Sequence, residues 1–362
     1  MKANTSFHYG LVRVSELGIE SELTASSRNG KKPAPQLNVG GERLSTSRRF
    51  WTSFFHRFGI SETVFKYFDH EEVFRRIAER GKGDTVRYCI ERDAQGQGTL
   101  LAVSNPSRPV IDHAQVASLV ARYGGENTRY DHGVITSFHV PRSGDNPFAI
   151  GSDEFKHRFV METPIDGFGH PKIYLSLLRL LCSNGAIGYS PTFRSEIPLG
   201  KDMAYCITRA LESYDNGDGF AALRQRFEAS QRSWASLFEC HQLYRLVVRM
   251  VDERAVTCEG VLNDFYKVTG NANSLYGLAN LDALTTKRQR VLPARCRVYD
   301  LINFASELAT HHVQAGANRQ LQAYIGTLVS DEYDMEGTAD KLADFADFFL
   351  PGSEGVPPLS MN

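Results

Sequence analysis

Lys287, Arg288, Arg290, Arg295 and Arg297 place five bases within eleven residues, with no acid between them. A second basic group, Arg43, Arg48, Arg49 and Arg57, is interleaved with Phe50, Trp51, Phe54 and Phe55. Basic side chains neutralise phosphates, and aromatic rings stack on unpaired bases for about 1–3 kcal/mol each, so the combination fits single-stranded nucleic acid. The same residues also fit solvated helix faces and loop ends, and the sequence leaves both readings open. Arg179 ends an apolar run and needs a partner, either an acid or a ligand phosphate. Asn184-Gly185 is a turn signal, because both residues tolerate positive φ. One reading is a buried ion pair beside a tight turn. The other has Arg179 and the N–H groups of the turn on a phosphate.

Patterns for chemistry are mostly missing. Gly81-Lys82-Gly83-Asp84 has neither the spacing nor the hydroxyl of a phosphate-binding loop, and no dinucleotide glycine fingerprint follows a strand. There is no H-E-x-x-H and no Cys/His quartet, and the adjacent His311 and His312 would point to different sides of a helix. Asp166-Gly167-Phe168-Gly169-His170 reads either as an acid and an imidazole brought together on a loop, or as a turn with solvated side chains. Cys182 has no assignable base near it in sequence, so a buried structural thiol is its default. No catalytic residue, metal ligand or cofactor is therefore assigned.

The chain has 362 residues, 42% of them hydrophobic and 23% charged, which fits about two globular domains with a sizeable core. Lys+Arg 41 against Asp+Glu 42 gives a net charge of −1, which excludes histone-like binding. The charge is uneven. Eight acids against one base put residues 331–362 at net −7 and leave the preceding residues at +6. The six cysteines are dispersed with no C-x-x-C pair, the pattern of reduced, mostly buried thiols. No apolar run approaches a membrane span, and MKANTSFHYG has no apolar signal core, so a cytoplasmic protein is expected.

Several elements should position these residues. Residues 22–41, rich in Ser, Gly, Pro and Asn, read as an extended or mobile arm. Ser45 is placed to cap a helix carrying Phe50, Phe54, Phe55 and Phe58 that ends at Gly59. A short helix from Ser61 and another capped by Asp69 and stopped at Gly81 follow. Thr85–Glu91 and Thr99–Ser104 read as strands, and Asp112 as the cap of a helix closed by Gly124-Gly125. Thr128–Val140, Lys156–Glu162, Lys172–Leu178 and Thr192–Ile197 read as further strands. From Phe220 to Val251 the apolar residues recur every three or four positions, a helical stripe read as packing, and another helix is expected over about 294–314.

The segment Leu177-Leu178-Arg179-Leu180-Leu181-Cys182-Ser183-Asn184-Gly185-Ala186-Ile187-Gly188 resembles the Arg-hydrophobic-Cys-x-Asn-Gly signature of the phage/plasmid-like proteins called domain of unknown function 932. Leu44–Phe68 is similar to that family's early helices, and Leu101–Ser104 with Val110–His113 to its strand-to-helix segment. Val298–Glu307 resembles its closing helix, with Phe304 where a small residue is usual and Ser306 where Thr is usual. The resemblance spans roughly residues 40–315. It implies a mobile-element context and brings no catalytic residues with it.

These readings combine into an α+β fold: a mostly antiparallel sheet with flanking helices, followed by a helical C-terminal part. The expected divisions are an arm over 1–41, an α+β domain over 42–205, a helical region over 206–330 and an acidic tail over 331–362. The expected function is a non-catalytic accessory protein of phage or plasmid recombination or replication, binding single-stranded DNA. Its expected contacts are Arg48, Arg49, Trp51, Arg179, Asn184, Gly185, Lys287, Arg288, Arg290, Arg295 and Arg297. The alternatives are an assembly protein that recognises a phage or host protein through the acidic tail, and an enzyme with a site around Asp166, His170, Arg179 and Cys182. Self-association into a homo-oligomer is compatible with each, and no membrane partner is expected. In the tail, Asp344-Phe345-Ala346-Asp347-Phe348-Phe349-Leu350 reads as an amphipathic helix packed on the body, or as a docking peptide that competes with DNA.

Overall fold

Alternating burial along the N-terminal residues builds the first strands. In the computed structural model, which describes residues 5–20, 36–141, 146–151, 153–180, 185–187, 194–214, 218–270, 284–313 and 315–329, Val12, Val14, Leu17, Leu37 and Val39 are all buried. They belong to or adjoin β1 (Ser6–Arg13), β2 (Leu17–Glu20) and β3 (Gln36–Val39). The expected arm over 1–41 is therefore corrected where it is described. These residues pair in a sheet because their apolar side chains have a core to enter, whereas residues 21–35 lie outside the described set.

The described chain falls into two compact units. One comprises Met1–His139, Met161–Lys172 and Glu196–Glu212, the other Val140–Val160, Ile173–Ser195 and Ser213–Asn362. This interleaving differs from the expected succession of 42–205 and 206–330. In unit one a six-stranded sheet runs in the order β1-β5-β6-β4-β3-β2, with β4 (Glu42–Thr46), β5 (Thr85–Arg92) and β6 (Gly98–Ser104). Its pairings are antiparallel except β4 with β6, which is parallel.

Helix α1 (Arg48–Phe58) packs on β6, with Phe50 and Phe54 fully buried among Leu44, Leu100 and Val103. Its cap is Ser47, whose side chain accepts from the Phe50 N–H, and Ser45 instead lies within β4. The strand continues until Thr46, so the cap falls two residues later than expected, at Ser47. Gly59 ends α1 in the left-handed region at φ 62°, which a side chain would resist. Asp69 caps α2 (His70–Arg80), and the rings of Phe54 and Phe74 stack at 4.9 Å. Asp112 and Gln115 form a reciprocal cap on α3 (His113–Arg122). The strand expected over 128–140 is a hairpin, β7 (Glu126–Asp131) and β8 (Val134–His139), because His132 and Gly133 both take positive φ. Helix α4 (Met203–Tyr214) carries the unit's sequence to its end at Glu212.

Unit two begins with β9 (Phe148–Ile150), which pairs with β10 (Asp153–Pro164). Strand β11 (Lys172–Arg179) pairs with β12 (Gly185–Ile187) and with β13 (Arg194–Glu196). The single helix expected over Phe220–Val251 is two helices, α5 (Asp218–Ser230) and α6 (Leu237–Asp252). Between them, β14 (Trp234–Ser236) extends the chain, and Ser236 with Glu239 forms a capping box that starts α6 afresh. Helix α7 (Val261–Val268) and α8 (Thr286–Val291) lead to β15 (Pro293–Arg297), which pairs antiparallel with β14. Residues 294–297, expected to be helical, thus take a strand, and the helix begins at α9 (Val298–His311), followed by α10 (Ala315–Leu328). The fold is α+β with a helical C-terminal part, and among the described residues no helix is long and apolar enough to cross a membrane.

Because Phe54 is 0% exposed between α1 and the sheet, Phe54→Ala is expected to lower unfolding free energy by about 3–5 kcal/mol. Urea denaturation followed by circular dichroism measures it. A loss below about 1 kcal/mol would contradict this packing.

Candidate nucleic-acid interface

The basic cluster from 287 to 297 occupies two elements of unit two that meet at one ribbon. Helix α8 carries Lys287, Gln289 and Arg290, and β15 carries Arg295 and Arg297. Lys287, Arg290 and Arg295 are exposed, Arg297 is half-buried, and the side chain of Arg288 lies outside the described set. The ribbon is fixed by Trp234 opposite Arg297 and Ser236 opposite Pro293. The Leu237 N–H donating to the Leu292 carbonyl at 2.7 Å, and the Val298 N–H to the Ser233 carbonyl at 3.0 Å, anchor both its ends.

Two aromatic rings accompany these bases. The Arg297 guanidinium lies 3.6 Å over the Trp234 ring, and its Nη1 donates to the Arg232 carbonyl. The Arg290 guanidinium lies 4.4 Å over the Phe238 ring. Such cation–π contacts hold planar charge against a flat apolar surface, leaving half-buried Trp234 and Phe238 beside the cations. Glu239, next to Phe238 in sequence, caps α6 and also feels this array: its carboxylate accepts from the Ser236 N–H at 2.5 Å, and burial pushes it up against the pull of the cap and of the Arg290 charge. Behind the ribbon, Cys240 and Cys296 bring their buried sulfurs to 3.6 Å, which ties α6 to β15. Of the other cysteines described, Cys89 is buried and Cys206 and Cys258 are half-buried.

The second expected cluster divides in unit one. Arg48 is exposed at the start of α1. Arg49 is not available to a phosphate in the way expected, because its Nε and Nη2 fork onto the Asp166 carboxylate and Nη2 also donates to the Phe168 carbonyl. Asp166 is 1% exposed, which corrects the reading of a solvated turn. Burial pushes its carboxyl up, against the opposing pull of Arg49 and the Phe168 N–H. Gly133, at φ 87°, passes so close that a Cβ there would lie 2.8 Å from Asp166 Oδ2. His170 turns its Nδ1 to the Ile197 carbonyl at 3.4 Å instead of toward a catalytic partner.

Trp51 is likewise corrected as a free stacking platform. Phe54, Phe65 and His70 all place their rings within 5.7 Å of it, and its Nε1 donates to Thr46 Oγ1 at 3.1 Å. In unit two, Arg179 ends β11 with Nη2 donating to Asp153 Oδ1 at 2.7 Å, and Tyr299 donates to Asp153 Oδ2 at 2.5 Å. The ion-pair reading of Arg179 is the one seen. Gly185 opens β12 opposite Leu178 and so lies in a strand rather than at a turn tip, while Cys182 and Asn184 fall outside the described residues. The acidic tail over 331–362 falls outside them as well.

Sequence reasoning read Trp234 and Phe238 as part of a continuous packing stripe and passed over Arg232, exposed just before β14. The signal for a break lay in Ser233 and Ser236 within that stripe, both suited to capping and turns. Among the described residues no group of three His, Cys, Asp or Glu side chains is placed to hold a metal ion. No family model, curated protein or solved structure matches the chain.

The Asp153 carboxyl sits below its usual range: burial pushes it up, and hydrogen bonds from Tyr299 and Arg179 outweigh that. The unfolded chain therefore takes up this proton first. The pair's contribution is full above about pH 4 and is lost as the pH falls through the lower folded value. Urea midpoints across that range should show the native chain losing more stability on acidification than Asp153→Asn, so the gap between them narrows at low pH. Parallel pH profiles would refute this role.

Proposed function

We propose that the protein is a non-catalytic accessory protein of a phage or plasmid that binds single-stranded DNA during recombination or replication. The carrying observation is the α8 and β14–β15 surface of unit two, where Lys287, Arg290 and Arg295 are exposed and the rings of Phe238 and Trp234 pair with Arg290 and Arg297. Cations spaced along a ribbon track a backbone, and the Arg297–Trp234 and Arg290–Phe238 pairs add flat cationic surfaces beside them. The resemblance in residues 177–188 supports the mobile-element setting. Arg49, Arg179 and Trp51 leave this reading, since their polar and ring faces have protein partners. Arg48 remains as an exposed cation in unit one.

The test compares short single and double strands across a salt series. The native chain should prefer single strands, with affinity falling linearly on a log–log scale as salt rises. Lys287→Ala, Arg290→Ala and Arg295→Ala together should weaken binding and flatten the slope by about 0.7 per lost phosphate contact, about 2 in all. Unchanged binding in the triple variant, or none by the native chain at physiological salt, would overturn the proposal.

A further inference from the structure

A groove of about 450 Å³ opens in unit one between the end of α1, the 3₁₀ segment Glu62–Lys66 and α2. Its floor is apolar, built from Ile60, Val64, Val73 and Ile77. Two arginines, Arg57 and Arg80, stand on its walls, with Asp84 as its single lining acid. Neither arginine forms an ion pair with any described residue; the Arg57 guanidinium lies 5.6 Å over the Phe58 ring, and its Nε is buried without a hydrogen-bond partner. This contrasts with Arg76, also on the wall, whose Nε donates to Glu72 Oε1 at 2.6 Å while its guanidinium lies 4.7 Å over the Phe68 ring. At that lip Tyr67 is 80% exposed and Phe68 39% exposed. A buried guanidinium nitrogen left unpaired is costly, and large exposed rings beside an apolar cleft mark an interaction surface.

We infer that this groove binds an acidic–aromatic peptide segment of a partner polypeptide. The floor asks for large apolar side chains, and the two unpaired arginines ask for carboxylates beside them. A helical segment meets both demands when apolar anchors recur four apart and acids three apart. This chain's own residues 344–350 have that pattern, with Phe345 and Phe349 four apart and Asp344 and Asp347 three apart, so they supply a probe of the required chemistry. The volume suits side-chain anchors rather than a whole domain, since pockets of about 300–1,000 Å³ accommodate small ligands. The inference does not depend on the nucleic-acid reading, which concerns unit two.

A fluorescein-labelled peptide of residues 340–352 is titrated with the full-length chain and followed by anisotropy. The receptor carries Phe345→Ala and Phe349→Ala, so that its own copy of the motif does not compete. Saturable binding is expected. It should weaken at least ten-fold when Arg57→Gln and Arg80→Gln are added to the receptor, and likewise when the peptide's two Phe are changed to Ala. Thermal melts check that the arginine variant remains folded, and Val64→Ser serves as a second groove variant with the same expected loss. The Lys287, Arg290 and Arg295 triple variant should bind the peptide unchanged, which separates this result from that of the DNA titration. Absence of saturation, insensitivity to the groove variants, or loss only in the triple variant would overturn the inference. So would a groove that binds oligonucleotide through Arg57 and Arg80 but no peptide.

Discussion

A guanidinium taken out of water must be met by a carboxylate or a ring of carbonyls, and that requirement orders unit one. Arg49, from the first turn of α1, forks onto Asp166 and the Phe168 carbonyl, which fastens the loop after β10 to the helix. Arg108 donates to the Gly169 carbonyl at 2.7 Å, and Arg87 donates to the carbonyls of Pro106 and Arg108. Tyr9 on β1 adds a bond to the Ile165 carbonyl at 2.6 Å. Loops that apolar packing alone would leave unspecified are thereby fixed in register. Removing one partner would strand a charge in a dry site, which is why such pairs hold geometry more firmly than their net energy suggests.

The same requirement separates arginines that serve the fold from those left to meet something else. Arg49 and Arg179 look alike in sequence to Arg295: a base near apolar residues. What distinguishes them is a carboxylate brought in from far along the chain, Asp166 for Arg49 and Asp153 for Arg179. No local pattern announces such a partner. The cluster over 287–297 was legible as a whole because its density of bases has no acid within it to satisfy them.

Legibility of the fold followed the same division between local and distant causes. The caps at Asp69 and Asp112 and the stop at Gly59 depend on residues within one turn, and they stand where the pattern of side chains puts them. Strand β1 is hard to read because its partner β5 lies far along the chain and its own alternation is broken by the exposed Leu11. Strand β3, in contrast, pairs locally with β4 across Gly40-Gly41, a hairpin signal masked by the Ser-, Gly- and Pro-rich stretch before it. The break between α5 and α6 was hidden for another reason. Trp234 and Leu237 keep a helical spacing across it, although Trp234 faces Arg297 in a strand pair. Periodicity reports which residues are apolar, not whether the backbone between them is continuous.

The interleaving of the two units has a consequence for how the protein is made. Unit one needs Glu196–Glu212, so a growing chain that has already released His139 still lacks its last segment. At 5–20 residues per second, synthesis takes roughly 4–15 s to cover that gap. During that interval the apolar faces of α3 and the neighbouring strands await residues still to be translated. Biogenesis is thus non-vectorial: the first residues to emerge cannot finish folding before the second unit's opening segments, Val140–Val160 and Ile173–Ser195, have been synthesised. A nascent chain of this topology has reason to engage a chaperone at the ribosome, and a ribosome stalled between those points would release an incomplete unit with open sticky surfaces.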